Sequence, residues 1–191
     1  MASTFTAEDY LKEAVVTAAA TMKELDAKVM WGLVKGGILP AIRQDDRCEC
    51  IIPTNIELGA SSQSTAGMTK VKPTGDVTFA LAHVFGDRVI FMAWTGLMKT
   101  KFRLETIKYS DVRAVNPVEY RYKMSKLPGL EILHSGGRFP VLGNDSTKVD
   151  PALNERWNVR LTNRLTGAWV PTWAEGKPSV ERWAAPPVNP A

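Results

Sequence analysis

The sequence predicts an α+β fold: a twisted antiparallel β-barrel or sandwich of six to seven strands, closed by a C-terminal helix and preceded by a long N-terminal helix. Two changes in the hydrophobic period carry this prediction. From Val77 the apolar residues alternate with a period of two, as in half-buried strands. After Asp150 the period becomes 3.6, as in an amphipathic helix. A polar segment rich in Gly, Ser and Thr separates this region from the N-terminal helix.

The N-terminal segment reads as one helix with a heptad seam. Thr6 and Asp9 form a capping-box-like start, and Gly36-Gly37 followed by Pro40 ends the pattern. This spacing fits either an amphipathic helix packed on its own domain, or self-association or a partner helix. The apolar positions of the seam are Leu11, Val15, Ala18, Met22, Leu25 and Val29.

Four regions follow from these patterns. Residues 1–58 hold the N-terminal amphipathic helix and a strand, "CECIIPTNIEL", that Pro53 places at a sheet edge. Residues 59–76 are predicted to be a flexible linker or loop, because they contain few large apolar residues. Residues 77–168 form the main domain, and residues 169–191 form a Trp- and Pro-rich tail.

Turn residues divide the main domain into successive strands. Gly86-Asp87 predicts a two-residue hairpin turn, and Thr95-Gly96 turns the chain again. Strands are expected at 77–85, 88–94, 99–109, 112–122, 130–134 and 138–142, with Pro128-Gly129 opening the fifth. In the closing helix Pro151 takes the first position, and Gly167 ends it. Its apolar residues are Leu153, Trp157, Leu161 and Leu165.

Three stretches of this domain resemble the bacterial pleckstrin-homology-like (PH-like) domains of the YokE-like kind. They are "GDRVIFMAW", "IKYSDVRAV" and "LEILHSGGRFPV", and Trp157 stands where such folds often place a helix tryptophan. The resemblance covers about residues 77–165, roughly half of the chain. It implies a PH-like interaction module, but the basic signature with which eukaryotic members bind inositol phosphates is not clear here.

The sequence gives little support for catalysis. It contains no G-x-S-x-G, H-E-x-x-H, P-loop or G-x-G-x-x-G motif. Cys48 and Cys50, with His83 and His134, lack the spacing of a zinc site. We therefore expect no enzyme activity, no catalytic residues, no cofactor and no metal.

Positive charge is concentrated in one part of the chain. The formal net charge is +4, whereas residues 99–126 hold eight cationic against three acidic residues, a net charge of +5. Such a local excess can serve an anionic ligand or nucleic acid, although a solvated sheet or helix face that aids solubility is the more ordinary explanation. The candidate ligand-binding residues are Lys99, Lys101 and Arg103 on one strand face, Arg121 and Lys123 on the next strand, and Arg156, Arg160 and Arg164 on the closing helix.

The predicted function is a non-catalytic PH-like interaction module that binds a protein or an anionic ligand. The alternative is a nucleic-acid-associated factor, or a phage or virion accessory factor, that uses the basic rows. The chain has no apolar run of membrane-spanning length, and its first residues lack the pattern of a secretory signal. We therefore expect a cytoplasmic protein without a transmembrane segment.

Overall fold

A computed structural model of the protein describes residues 5–22, 26–60, 70–95, 100–144 and 151–168. Within these ranges the chain is α+β, with three α-helices and one mostly antiparallel sheet of eight strands. The helices are α1 (Ala7–Ala20), α2 (Ala27–Gly37) and α3 (Pro151–Leu165). The strands are β1 (Cys50–Leu58), β2 (Lys70–Val71), β3 (Asp76–Val84), β4 (Arg88–Thr95), β5 (Lys101–Lys108), β6 (Val112–Tyr122), β7 (Ser125–His134) and β8 (Gly137–Leu142).

The N-terminal segment forms two helices, so the prediction of one long helix with a continuous seam is wrong. The capping box at the start of α1 is confirmed, since Thr6 and Asp9 exchange side-chain and backbone hydrogen bonds. The helix ends at Thr21, whose hydroxyl donates to the carbonyl of Ala18 at 2.7 Å. The Asp26 carboxylate then accepts from the backbone N–H of Val29 at 2.8 Å and begins α2. The side chains of Thr21 and Asp26 thus form hydrogen bonds with backbone groups that would bond to other backbone groups in a continuous helix.

The apolar faces of α1 and α2 pack on the sheet of the same chain. Leu11 and Val15 of α1 and Met30 and Val34 of α2 are buried, while Val29 of the predicted seam is 52% exposed. This arrangement corresponds to a helix laid on its own domain, the first of the two interpretations. The sheet residues in this layer are Ile51, Leu81, Ile90 and Met92, and Phe85 of the β3–β4 turn packs with them.

The sheet has the strand order β2-β6-β7-β8-β1-β3-β4-β5. The cysteine-containing strand β1 pairs with β3 on one side and, at Asn55 and Ile56, with β8 on the other. The prediction that it is an edge strand is therefore wrong. Pro53 is accommodated because β8 pairs with β1 only beyond it.

Part of the predicted linker is built into the sheet. Strand β2 runs parallel to β6, and Val71 is buried there. The backbone N–H groups of Thr74 and Gly75 both donate to the Glu57 carboxylate at 2.6 Å. Residues 70–76 are thus fixed to β1 and β6, whereas residues 61–69 lie outside the described residues.

The alternating segments form the predicted strands, with two local differences. The two-residue Gly86-Asp87 turn is confirmed by the hydrogen bond from Phe85 N–H to the carbonyl of Arg88. Pro128 and Gly129 do not open a strand but lie inside β7. Lys123, predicted to continue β6, stands in the β6–β7 turn with a positive φ of 53°.

The sheet curls toward the face that contains the main core. Phe91 of β4 and Phe139 of β8 lie three strand spacings apart, about 14 Å on a flat sheet. Their ring centroids are only 4.8 Å apart. Among the described residues β5 and β6 do not pair, so the curled sheet stays open. Helix α3 covers the concave face through Leu161 and Leu165.

Alanine substitutions at two glycines of α2 can test how closely this helix packs on the sheet. A Cβ at Gly37 would stand 2.3 Å from the Met92 sulfur and 2.8 Å from the Phe102 ring. We expect Gly37→Ala to lower the free energy of unfolding by about 1–3 kcal/mol because the core is overpacked. Chemical denaturation measures this change.

The matched control is Gly32→Ala in the same helix, where nothing lies within 4 Å of the added Cβ. Alanine should raise the stability there by about 0.5–1 kcal/mol through its helix propensity. Equal effects of the two substitutions would contradict the packing of α2 on Met92 and Phe102.

Candidate functional site

The cationic row of β5 lies at an edge of the sheet. Lys101 and Arg103 are exposed, as the strand period predicts, and Phe102 between them packs into the α1–α2 layer. Arg103 forms an ion pair with Glu105 at 2.8 Å, which reduces its availability to a ligand. Lys99 lies outside the described residues. A ligand-binding role for this row stays a prediction.

The second predicted pair lies at the other end of the curled sheet. Arg121 is exposed near the end of β6, opposite Lys126 of β7. The Lys123 ammonium in the following turn stands 4.7 Å from the ring centroid of Tyr122. These cations do not adjoin the β5 row in the sheet. Five strands lie between β6 and β5 in the strand order, and β5 and β6 do not pair directly in the described part of the chain.

The three arginines of α3 do not form one solvent-exposed stripe. Arg156 is exposed, but Arg160 and Arg164 are each only 4% exposed. The Arg164 guanidinium binds both oxygens of Glu49, at 2.9 and 2.8 Å, and donates to the carbonyl of Gly86 at 2.8 Å. Arg164 therefore joins α3 to Glu49 and to the carbonyl of Gly86, and we call this set of contacts the clamp.

The environment of the Glu49–Arg164 ion pair affects the pKa of both groups. Burial raises the pKa of Glu49, and the contact with Arg164 opposes that shift. Burial acts to lower the pKa of Arg164, but Glu49 more than offsets it, so the pKa is raised and the guanidinium stays charged. The Tyr109 ring lies 4.5 Å from this guanidinium, and its hydroxyl donates to the carbonyl of Phe85 at 2.6 Å.

A groove of about 750 Å³ separates the outer flank of α3 from strands β6 and β7. Its floor carries Pro117 and Pro128 from neighbouring strands, together with Leu130, and its helical wall includes Val159, which is 42% exposed. We call this feature the helix–sheet groove. Its remaining lining residues are Val118, Glu119, Lys126, Gly129, Ala152, Glu155, Asn158, Thr162 and Asn163.

Two polar atoms of the groove residues are buried without a hydrogen-bond partner in the described part of the chain. One is Oε1 of Glu119 on β6, an acceptor, and the other is Nδ2 of Asn158 on α3, a donor. Buried polar groups in native proteins are almost always satisfied. The groove thus combines an unpaired acceptor on its floor with an unpaired donor on its helical wall.

Sequence reasoning did not find this groove, although one signal was available. Val159 is an apolar residue on the flank of α3 that faces away from the Leu153–Leu165 seam. The sequence does not show that Pro117 and Pro128 are neighbours. They come close only through the register of β6 and β7, in which Pro128 lies opposite Glu119.

The described residues contain no group of three or more His, Cys, Asp or Glu side chains that could hold a metal ion. Among the helices of the described ranges, none combines the length and apolar character needed to cross a bilayer. Comparisons with protein-family models, curated proteins and solved structures each gave no match.

The structural role of Arg164 can be tested by substitution. Arg164→Met leaves the Glu49 carboxylate buried without its partner, and we expect a loss of about 3–5 kcal/mol in unfolding free energy. The double variant Glu49→Leu/Arg164→Met should recover most of this loss, because it buries no uncompensated charge. Denaturant unfolding of the three proteins measures both effects.

Arg156→Met on the same helix is the control. Arg156 is exposed, so its replacement should change stability by no more than about 0.5 kcal/mol. A loss for Arg164→Met as small as that of the control would show that the clamp does not form.

Proposed function

We propose that the protein is a non-catalytic interaction module of PH-like type that binds an extended polypeptide segment in the helix–sheet groove. The curled antiparallel sheet and the C-terminal helix across its concave face support this assignment. The two buried free cysteines, Cys48 and Cys50, support the accompanying proposal of a cytoplasmic location.

The observation that carries the proposal is the unpaired acceptor and donor in the groove. Each residue of a polypeptide brings one N–H and one C=O group. An extended segment can therefore donate to Glu119 Oε1 on the floor and accept from Asn158 Nδ2 on the helix. A ligand with only donors or only acceptors satisfies one of these atoms and leaves the other unpaired.

The dimensions and lining of the groove also fit a polypeptide. Its helical wall runs from Ala152 to Asn163, about 16 Å at the rise of an α-helix. That length corresponds to about five residues of extended chain. The apolar floor and the exposed Val159 provide contacts for alternate side chains of such a segment.

The charge of the groove favours a polypeptide over nucleic acid. Glu119 and Glu155 line it together with a single cation, Lys126. Because two carboxylates repel phosphates, the nucleic-acid alternative would have to use other surfaces, such as the exposed part of β5. There Arg103 is already paired with Glu105.

A selection from short randomised peptides tests the proposed function. Peptides are selected on the wild-type protein, and binding is then measured on Val159→Arg, whose side chain fills the groove. We expect an affinity loss of about tenfold or more, because apolar contact area is replaced by a charge. Chemical-shift mapping of the wild-type complex should place the perturbed amides within 117–130 and 152–163.

Val16→Arg on α1 is the matched control, since Val16 is an exposed valine of another helix, at 60%. It should leave the affinity unchanged. The isosteric variant Asn158→Asp replaces the unpaired donor with an acceptor and should also weaken binding about tenfold. Peptides that bind Val159→Arg and Val16→Arg equally well, or that perturb amides elsewhere, would rule the groove out.

A further inference from the structure

Strand β5 forms one edge of the sheet, and its outer side has no strand partner among the described residues. The strand pairs with β4 over its whole length, from Lys101 to Lys108, without a register shift. After the short turn Tyr109–Asp111 the chain continues as β6, which pairs with β7 and not with β5. A regular edge strand of this length can accept the addition of another strand.

The hydrogen-bond pattern identifies the backbone groups that are available at this edge. The N–H of Tyr109 donates to the carbonyl of Asp87 at 3.0 Å, and these two residues continue the β4–β5 register. In an antiparallel ladder every second residue bonds to the same neighbour, so the odd-numbered residues of β5 bond to β4. The residues whose N–H and C=O groups point outward are Phe102, Leu104, Thr106 and Lys108.

The two edges of the sheet differ in how they are protected against strand addition. At the far edge, β2 covers β6 only at Glu119 and Tyr120, and the uncovered part of β6 contains Pro117, which has no N–H to donate. Strand β5 is eight residues long and contains neither a proline nor a bulge. Its protection therefore depends on its charged side chains, and these charges decide which strand can be added.

The side chains of β5 divide into an apolar and a charged face. Phe102 and Leu104 are half-buried on the face that packs with the α1–α2 layer. The other face carries Lys101, Arg103 and Glu105, and the side chains of Arg103 and Glu105 remain 58% and 35% exposed although they form an ion pair. An added strand therefore needs an apolar residue beside Leu104 and charges that complement Arg103 and Glu105.

We propose that a second copy of this chain adds its β5 antiparallel to the first, with the two Leu104 residues opposite each other. Charge selects this register among the symmetric ones near the middle of the strand. A centre at residue 103 sets two arginines opposite each other, and a centre at 105 sets two glutamates opposite each other; both are unfavourable. A centre at Leu104 sets Arg103 of each copy opposite Glu105 of the other.

This register joins the sheets of two protomers into one continuous sheet. Phe102, Leu104 and Thr106 of the two copies exchange about six backbone hydrogen bonds. The two Leu104 side chains cover each other on the apolar face, and the ion pairs of the two copies form a network of alternating charges. The interface lies far along the strand order from β6 and β7, so it is independent of the helix–sheet groove and of the function proposed for it.

Sedimentation equilibrium of the full-length protein from about 1 µM to about 1 mM tests the proposal. We expect the mean mass to rise from 21.0 kDa toward twice that value. Arg103→Glu and Glu105→Arg each place like charges opposite each other, and each should weaken the dimer about tenfold or more. Arg121→Glu, at an exposed arginine of β6, is the matched control and should dimerise as the wild type does. Because these side chains are exposed, all three melting temperatures should stay near that of the wild type.

An equal mixture of the two reversed variants distinguishes this register from other modes of self-association. Arg103→Glu has acidic side chains at both positions and Glu105→Arg has basic ones, so the two strands complement each other. Energy transfer between copies labelled at their N-termini should show a mixed dimer about tenfold tighter than either variant alone. The proposal is overturned by a monomer throughout the concentration range, by a dimer that neither reversal weakens, or by a mixture that associates no better than its components.

Discussion

The ion pair between Glu49 and Arg164 joins the last turn of α3 to the start of β1, and the helix–sheet groove depends on the position of this helix. Glu49 precedes β1, and Arg164 stands in the last turn of α3, 115 residues later in the chain. Through its bond to the carbonyl of Gly86, the same guanidinium also fixes the β3–β4 turn. One buried side chain thus joins three parts of the chain that contribute to the core. Because each partner is buried, loss of either leaves a charge without compensation.

Helix α3 presents three different faces to the rest of the chain. The seam of Trp157, Leu161 and Leu165 closes the concave face of the sheet. One flank, with Val159, forms a wall of the helix–sheet groove, and the other, with Arg156, borders a smaller cleft between α3, α1 and β1. A helix that closes a barrel completely would leave no such spaces. Among the described residues the sheet stays open, and a space remains along each side of the helix.

The alternating strands and the closing helix could be predicted because their signals are local. A period of two, a two-residue turn at Gly86-Asp87, and Pro151 at the first position of α3 are each readable within a few residues. The central place of β1 could not be predicted, because it depends on pairing with β3 and β8, far along the chain. The break between α1 and α2 has a local signal in Asp26, the N-cap of α2, but the regular heptad spacing across it predicts one continuous helix. The groove could not be predicted because it depends on how α3 is seated on β6 and β7.

The arginines of α3 show why a regular spacing does not define a binding face. Each of them follows a seam residue by three positions, as Arg156 follows Leu153 and Arg164 follows Leu161. At 100° per residue this places all of them about 60° from the seam, on the boundary between core and solvent. Residues at that boundary are buried or exposed according to their neighbours in the fold. At the C-terminal end the neighbours are Glu49 and the β3–β4 turn, which bury Arg164. At the N-terminal end Arg156 remains exposed, because no element of the described residues covers it there.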